Sequence, residues 1–127
     1  MDSIKFNWDN SFNGVMSAPN GDIKIGEDGF RPYNLFIGAL GSCFYATLIT
    51  IVNKKRLTFD SATMEISGEK RTTSPTTLEW AVIKLVVKNP SNIEQFDKSI
   101  ELAAKNCSIH ETISKVADIK IITEYTK

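Results

Sequence analysis

Tyr33-Asn34-Leu35-Phe36-Ile37-Gly38-Ala39-Leu40-Gly41-Ser42-Cys43-Phe44-Tyr45-Ala46-Thr47-Leu48-Ile49-Thr50-Ile51-Val52 is a stretch without a single charged residue. Pro32 stands just ahead of it, and a proline suits the first turn of a helix because its missing N–H has no partner there anyway. Lys54-Lys55-Arg56 follow it and place cations on the negative pole of a helix. The stretch matches the roughly 20 residues that cross a bilayer, so a membrane span has to be weighed. Asn34, Ser42, Thr47, Thr50 and two glycines within the run speak against one. A helix apolar nearly all round is also the buried centre of a globular fold, and that is the reading favoured here. Gly38, Ser42 and Ala46 recur every fourth position, a stripe of small side chains that lets another backbone approach closely.

Both flanks read as sheet. Ile4, Phe6 and Trp8 alternate with polar residues, the period of a half-buried strand. A second strand runs through Phe12, Val15 and Met16, and Pro19-Asn20-Gly21-Asp22 is a strong turn signal. Ile23 and Ile25 form a third strand, closed by Glu27-Asp28-Gly29. Beyond the helix, Ala62, Met64 and Ile66 alternate, and Leu78 to Val87 is a long β-branched run stopped by Asn89-Pro90. Ser91 with Glu94, and Ser108 with Glu111, have the form of capping boxes that start two helices, one through Phe96, Ile100 and Ala103, the other through Ile113 and Val116. Ile119, Ile121 and Tyr125 end the chain as a strand. The predicted order is βββ-α-ββ-αα-β, an α+β fold with mostly antiparallel sheet in one domain spanning residues 1–127.

A chain of 127 residues with 42% apolar content can bury one core without disulfides or metal. Fifteen basic and fifteen acidic residues cancel, and no like-charged run suggests a nucleic-acid groove or a membrane patch. A lone histidine, His110, and scattered carboxylates form no metal-ligand cluster, and no cofactor motif is present. Met1 to Asn10 carry charges and no apolar h-region, so a cytoplasmic location is expected.

Cys43 and Cys107 are the only cysteines and lie too far apart in sequence for a CxxC hairpin or a zinc knuckle. In a reducing compartment a pair that meets is more often redox-active than structural. On count alone, two unrelated buried thiols are the simpler reading. Local electrostatics rank them: Cys107 precedes a helix start, which favours a thiolate, whereas burial of Cys43 among Leu40, Phe44 and Thr47 raises its pKa. His110, three residues after Cys107, reads as an exposed first-turn side chain.

The segment Phe30-Arg31-Pro32-Tyr33-Asn34-Leu35-Phe36-Ile37-Gly38-Ala39-Leu40-Gly41-Ser42-Cys43, with Asn106-Cys107-Ser108-Ile109 at long range, resembles the OsmC/Ohr family. The likeness extends to the element order, and the ending is most similar to the YhfA-like branch. It implies an intertwined homodimer, with Cys43 as the peroxidatic and Cys107 as the resolving cysteine of a thiol-dependent organic hydroperoxide reductase. The cycle passes through a sulfenic acid and a disulfide, which a small thiol reductant reopens. The family's arginine on an N-terminal loop and its glutamate ten residues before the first cysteine are both missing here; Tyr33 holds the latter position. Arg31, reaching across the dimer, and Tyr33 are the candidate thiolate stabilisers, with Lys24 and Lys5 weaker ones.

Three functions are therefore distinguished: the peroxidase, an OsmC-like protein that binds a small hydrophobic or sulfur-containing ligand at the dimer interface, and a single-pass membrane protein. A peroxide-driven disulfide separates the first two, and membrane partitioning isolates the third.

Overall fold

The computed structural model describes all 127 residues. The elements are β1 (Lys5–Trp8), β2 (Asn13–Ala18), β3 (Gly21–Gly26), α1 (Pro32–Lys54), β4 (Ser61–Lys70), β5 (Leu78–Lys88), α2 (Ile93–Asn106), α3 (Ser108–Ser114) and β6 (Asp118–Thr126). This is the predicted order. The chain divides into two compact units, Met1–Gly38 and Ala39–Lys127.

The first unit is an antiparallel meander in the order β1-β2-β3. Ala18 pairs with Gly21 across a tight turn at Pro19-Asn20. Gly14 is required by close approach, because a Cβ there would stand 2.5 Å from the Trp8 ring. Phe6, Trp8 and Phe12 stack in succession, with ring centroids 5.5 Å and 5.7 Å apart. The expectation of a half-buried first strand is not met within one chain, where every residue of β1 is exposed.

The second unit holds the β4-β5-β6 sheet, with β5 central. β4 pairs antiparallel with β5, while β6 runs parallel to it, Ile83 opposite Ile121. Parallel neighbours need a long crossover, and α2 and α3 provide it. Leu40, Phe44, Leu48 and Val52 of α1 lie on one stripe and are buried. They share the core with Ala81, Ile83, Leu85 and Val87 of β5 and with Phe96, Ile100 and Ala103 of α2. Gly41 lets α1 come down on the sheet, since a Cβ there would lie 2.9 Å from the Ile66 methyl. The central helix is thus buried along one stripe rather than all round, and Gly38, Ser42 and Ala46 stay exposed in the single chain. By length and composition α1 could also cross a membrane, its apolar window having a mean hydropathy of 2.0.

Both expected capping boxes resolve differently. Asn92, not Ser91, caps α2, its side-chain oxygen accepting from the Gln95 amide at 3.0 Å. Ser91 Oγ accepts instead from the Thr58 amide at 2.9 Å. Cys107 caps α3, its sulfur accepting from the His110 amide at 3.4 Å, and Glu111 pairs forward with Lys115 at 2.8 Å. Val116 lies beyond the end of α3 and is exposed. Asn89 takes a left-handed φ of 59° and bonds the Thr126 carbonyl and Asp60, which explains why β5 stops there.

Candidate active site

Cys107 occupies the junction of α2 and α3. Its amide donates to the Ala103 carbonyl and its carbonyl accepts from Glu111, so it closes one helix and opens the next. An extended φ/ψ there turns the chain, and the side chain is fully enclosed. Cys43 sits mid-way along α1, partly open to solvent. The fold brings the two together: each cysteine influences the ionisation of the other, and Cys43 Sγ lies 4.0 Å from Ser108 Oγ. Both are free thiols.

The electrostatic ranking from sequence is inverted. The Ile109 amide, in the first turn of α3, donates to the Cys43 sulfur and is the largest influence on it, lowering its pKa below the usual thiol value. Desolvation opposes this, and the Cys107 thiol, the Ser108 hydroxyl and the Ser108 amide reinforce it. Cys107 is raised, chiefly by burial and further by the neighbouring Cys43, with the His110 and Ile109 amides opposing. First-turn amides have no acceptor within their own helix, so α3 can offer them to a thiolate elsewhere. The Ile109 amide favours both thiolates, but it is the largest influence on Cys43, whereas at Cys107 burial outweighs it. The expectation that burial leaves Cys43 raised is therefore corrected, because donors from α3 outweigh desolvation.

Arg31 is exposed, and its guanidinium contacts Glu27 at 3.3 Å. Tyr33 packs edge-on against Phe36 with centroids 5.4 Å apart. His110 is half-buried rather than exposed, and its Nδ1 is enclosed without a hydrogen-bond partner.

An open groove of about 680 Å³ begins at Cys43 and is lined by Thr47, Thr50, Ile51, Lys54, Lys55 and Leu102, among others. Sequence reasoning missed Ser108, Ile109 and this groove. Only the Cys107-Ser108 junction carried a readable signal, as a helix start.

The chain is thus an α+β protein in which two free thiols, one lowered and one buried, come together beside a helix start. Residues 25–122 match the family model described as OsmC-like protein, and the chain belongs to that family. A hydroperoxide reductase of Mycoplasma pneumoniae is 25% identical over 107 residues, covering 77% of this chain and 72% of that protein. A hypothetical protein from Aquifex aeolicus has the same fold, with a TM-score of 0.91 at 21% identity over 100% of this chain and 98% of its own. The OsmC-like protein of Mycoplasma pneumoniae superimposes with a TM-score of 0.88 at 17% identity, over 100% of this chain and 98% of that one. Relatives in the family are thus named for hydroperoxide chemistry, and the likeness in structure is one of fold.

Proposed function

We propose that this protein is a two-cysteine, thiol-dependent reductase of organic hydroperoxides, acting as a cytoplasmic homodimer. The observation that carries the reading is the pairing of a thiol lowered by the Ile109 amide with a fully buried thiol near enough to be influenced by it. The Cys43 thiolate attacks the outer oxygen of the hydroperoxide. An S–O bond forms, the O–O bond breaks, and the departing alkoxide takes a proton and leaves as the alcohol. Cys43 is now a sulfenic acid. The Cys107 sulfur then attacks Cys43, and the displaced hydroxide leaves as water with the proton that Cys107 carried. A raised Cys107 suits this step, because the thiol arrives still protonated. Two equivalents of an external thiol return the two electrons and two protons, themselves becoming a disulfide.

The dimer is supported by apolar residues left uncovered in one chain: Phe6, Trp8, Phe12 and Val15 are exposed, as is the Gly38-Ser42-Ala46 stripe of α1. Arg31 and Tyr33 take a secondary part in this proposal, as groups brought to Cys43 across the interface. The groove beside Cys43 favours one further reading, an OsmC-like protein that binds a small hydrophobic or sulfur-containing ligand without turnover.

Treatment with cumene hydroperoxide followed by peptide mass spectrometry separates the two. The peroxidase forms a Cys43–Cys107 disulfide in step with peroxide consumed; both thiols still reduced after excess peroxide leave only the binding protein. Sedimentation as a monomer at micromolar concentration overturns the dimer.

A further inference from the structure

The serines and threonines of the three helices, with one exception, turn their hydroxyls back on their own backbone. Ser42, Thr47, Thr50, Ser99, Thr112 and Ser114 each donate to a carbonyl three or four residues earlier, at 2.7–3.2 Å. The exception is Ser108. It is the first residue of α3, so no preceding turn of that helix offers it a carbonyl, and Cys107 already makes the cap that a serine could have made. Its hydroxyl has one partner in the chain, Cys43 Sγ at 4.0 Å. A thiolate only accepts, so Ser108 is the donor of this pair once Cys43 ionises. The Ile109 amide remains the main support of the thiolate, which leaves the hydroxyl free to act on what Cys43 carries next.

An O–H···O bond spans about 2.7–2.8 Å. A separation of 4.0 Å is too long for a strong bond to the bare sulfur, and it leaves room for one oxygen atom carried on that sulfur. We propose that Ser108 is a catalytic residue of the second half of the cycle, its hydroxyl donating to the oxygen that Cys43 has taken from a hydroperoxide and stabilising that oxygen as it leaves. The proposal rests on the hydroperoxide reading. In this step the Cys107 sulfur bonds the Cys43 sulfur, and the S–O bond breaks with its electron pair going to oxygen. The hydroxide so formed takes the proton that Cys107 releases and departs as water, while Ser108 keeps its own. Charge grows on the oxygen only as the bond breaks. The hydrogen bond is therefore stronger in the transition state than in the sulfenic acid, and it accelerates the step.

Rapid mixing with one equivalent of cumene hydroperoxide, quenched in dimedone or in acid for peptide mass spectrometry, follows the sulfenic acid and the disulfide separately. In Ser108→Ala the disulfide is expected to form about tenfold more slowly, the loss of one hydrogen bond to a charged group, so that the sulfenic acid accumulates. Ser108→Thr keeps the hydroxyl and should form the disulfide at the unmodified rate. The mixed disulfide of Cys43 with thionitrobenzoate supplies the control. There Cys107 displaces a sulfur leaving group and no oxygen departs, so Ser108→Ala should release the yellow thiolate as fast as the unmodified protein does. Disulfide formation from the sulfenic acid at the unmodified rate in Ser108→Ala overturns the proposal. So does an equal slowing of both reactions, which marks a displaced Cys107 rather than a lost donor. If peroxide leaves Cys43 reduced in the unmodified protein, the hydroperoxide reading falls and takes this step with it.

Discussion

Replacing Ile109 with proline removes the donor that most lowers Cys43 while leaving α3 its own hydrogen bonds. Ile109 is the second residue of α3, in the turn whose N–H groups lack an intrahelical acceptor, so the missing N–H costs the helix nothing. A hydrogen bond to a charged group is worth about 1.5–3 kcal/mol when well enclosed. Cys43 is partly open to water, and screening reduces that to about 1 kcal/mol. Below its pKa the thiolate fraction of Cys43 should then fall about fivefold, since 1.4 kcal/mol is roughly a factor of ten. The assay is the rate of Cys43 alkylation by iodoacetamide against pH, read on the Cys43 peptide by mass spectrometry. Ile109→Pro should move the midpoint to higher pH and slow alkylation at pH 7 by that factor, while the alkaline plateau is kept. Ile109→Ala retains the N–H and should follow the unmodified protein. A folded Ile109→Pro variant, with unchanged melting temperature and circular dichroism, whose alkylation profile superimposes on the wild type would refute the reasoning.

Cys107→Ser should leave a Cys43 sulfenic acid that dimedone traps after one equivalent of hydroperoxide, and Cys43→Ser should give neither adduct nor turnover. Arg31→Ala should slow Cys43 alkylation at neutral pH by less than Ile109→Pro does, because the amide acts within the chain whereas Arg31 contacts Glu27; a larger effect would make the arginine the main stabiliser. Asn92→Ala removes the cap of α2 and should cost about 1 kcal/mol, a drop in melting temperature of about 3–5 °C for a chain of this size. Tyr125 donates to Asp97 at 2.5 Å, and burial followed by that contact raises its pKa well above the ordinary 10.0. Its folded form therefore holds the proton more tightly. The stability it contributes is complete below the unfolded pKa and is lost as pH rises through it toward the folded one, so Tyr125→Phe should flatten the alkaline decline in urea titrations.

Where the periodicity was unbroken, the fold was legible. The alternation in β4, the β-branched run of β5, the uncharged run of α1 and the Pro19-Asn20 turn translate directly into elements, because one residue pattern there serves both local geometry and burial. The parallel pairing of β6 was not legible, since strand direction depends on the α2–α3 crossover and not on any residue within the strand. The caps were misassigned for a related reason. Ser91 and Ser108 have the right side chains, but the chain turns one residue away, and the first helical N–H groups reach Asn92 and Cys107 instead. Serine spacing locates a helix start only to within a residue.

The candidate site shows why a local reading can find the right residues and still order them wrongly. Sequence neighbours placed the amides of α3 beside Cys107, and a cysteine ahead of a helix is by default the better thiolate. The extended backbone of Cys107 turns its side chain into the core, where desolvation outweighs the amides it can still reach. Those same amides meet α1 across a sequence separation of 65 residues, at the contact between Cys43 and Ser108. The thiol with the helix start in its own segment thus holds its proton more tightly, and the thiol on an apolar helix is the one whose pKa is lowered. This ordering of the two pKa values is the one the proposed peroxidatic and resolving roles require. It needs no cation from within the same chain, so loss of the family's arginine and glutamate does not by itself remove the means of activating Cys43. An acceptor-only thiolate is satisfied by N–H groups, and α3 has them whatever side chains Arg31 and Tyr33 carry.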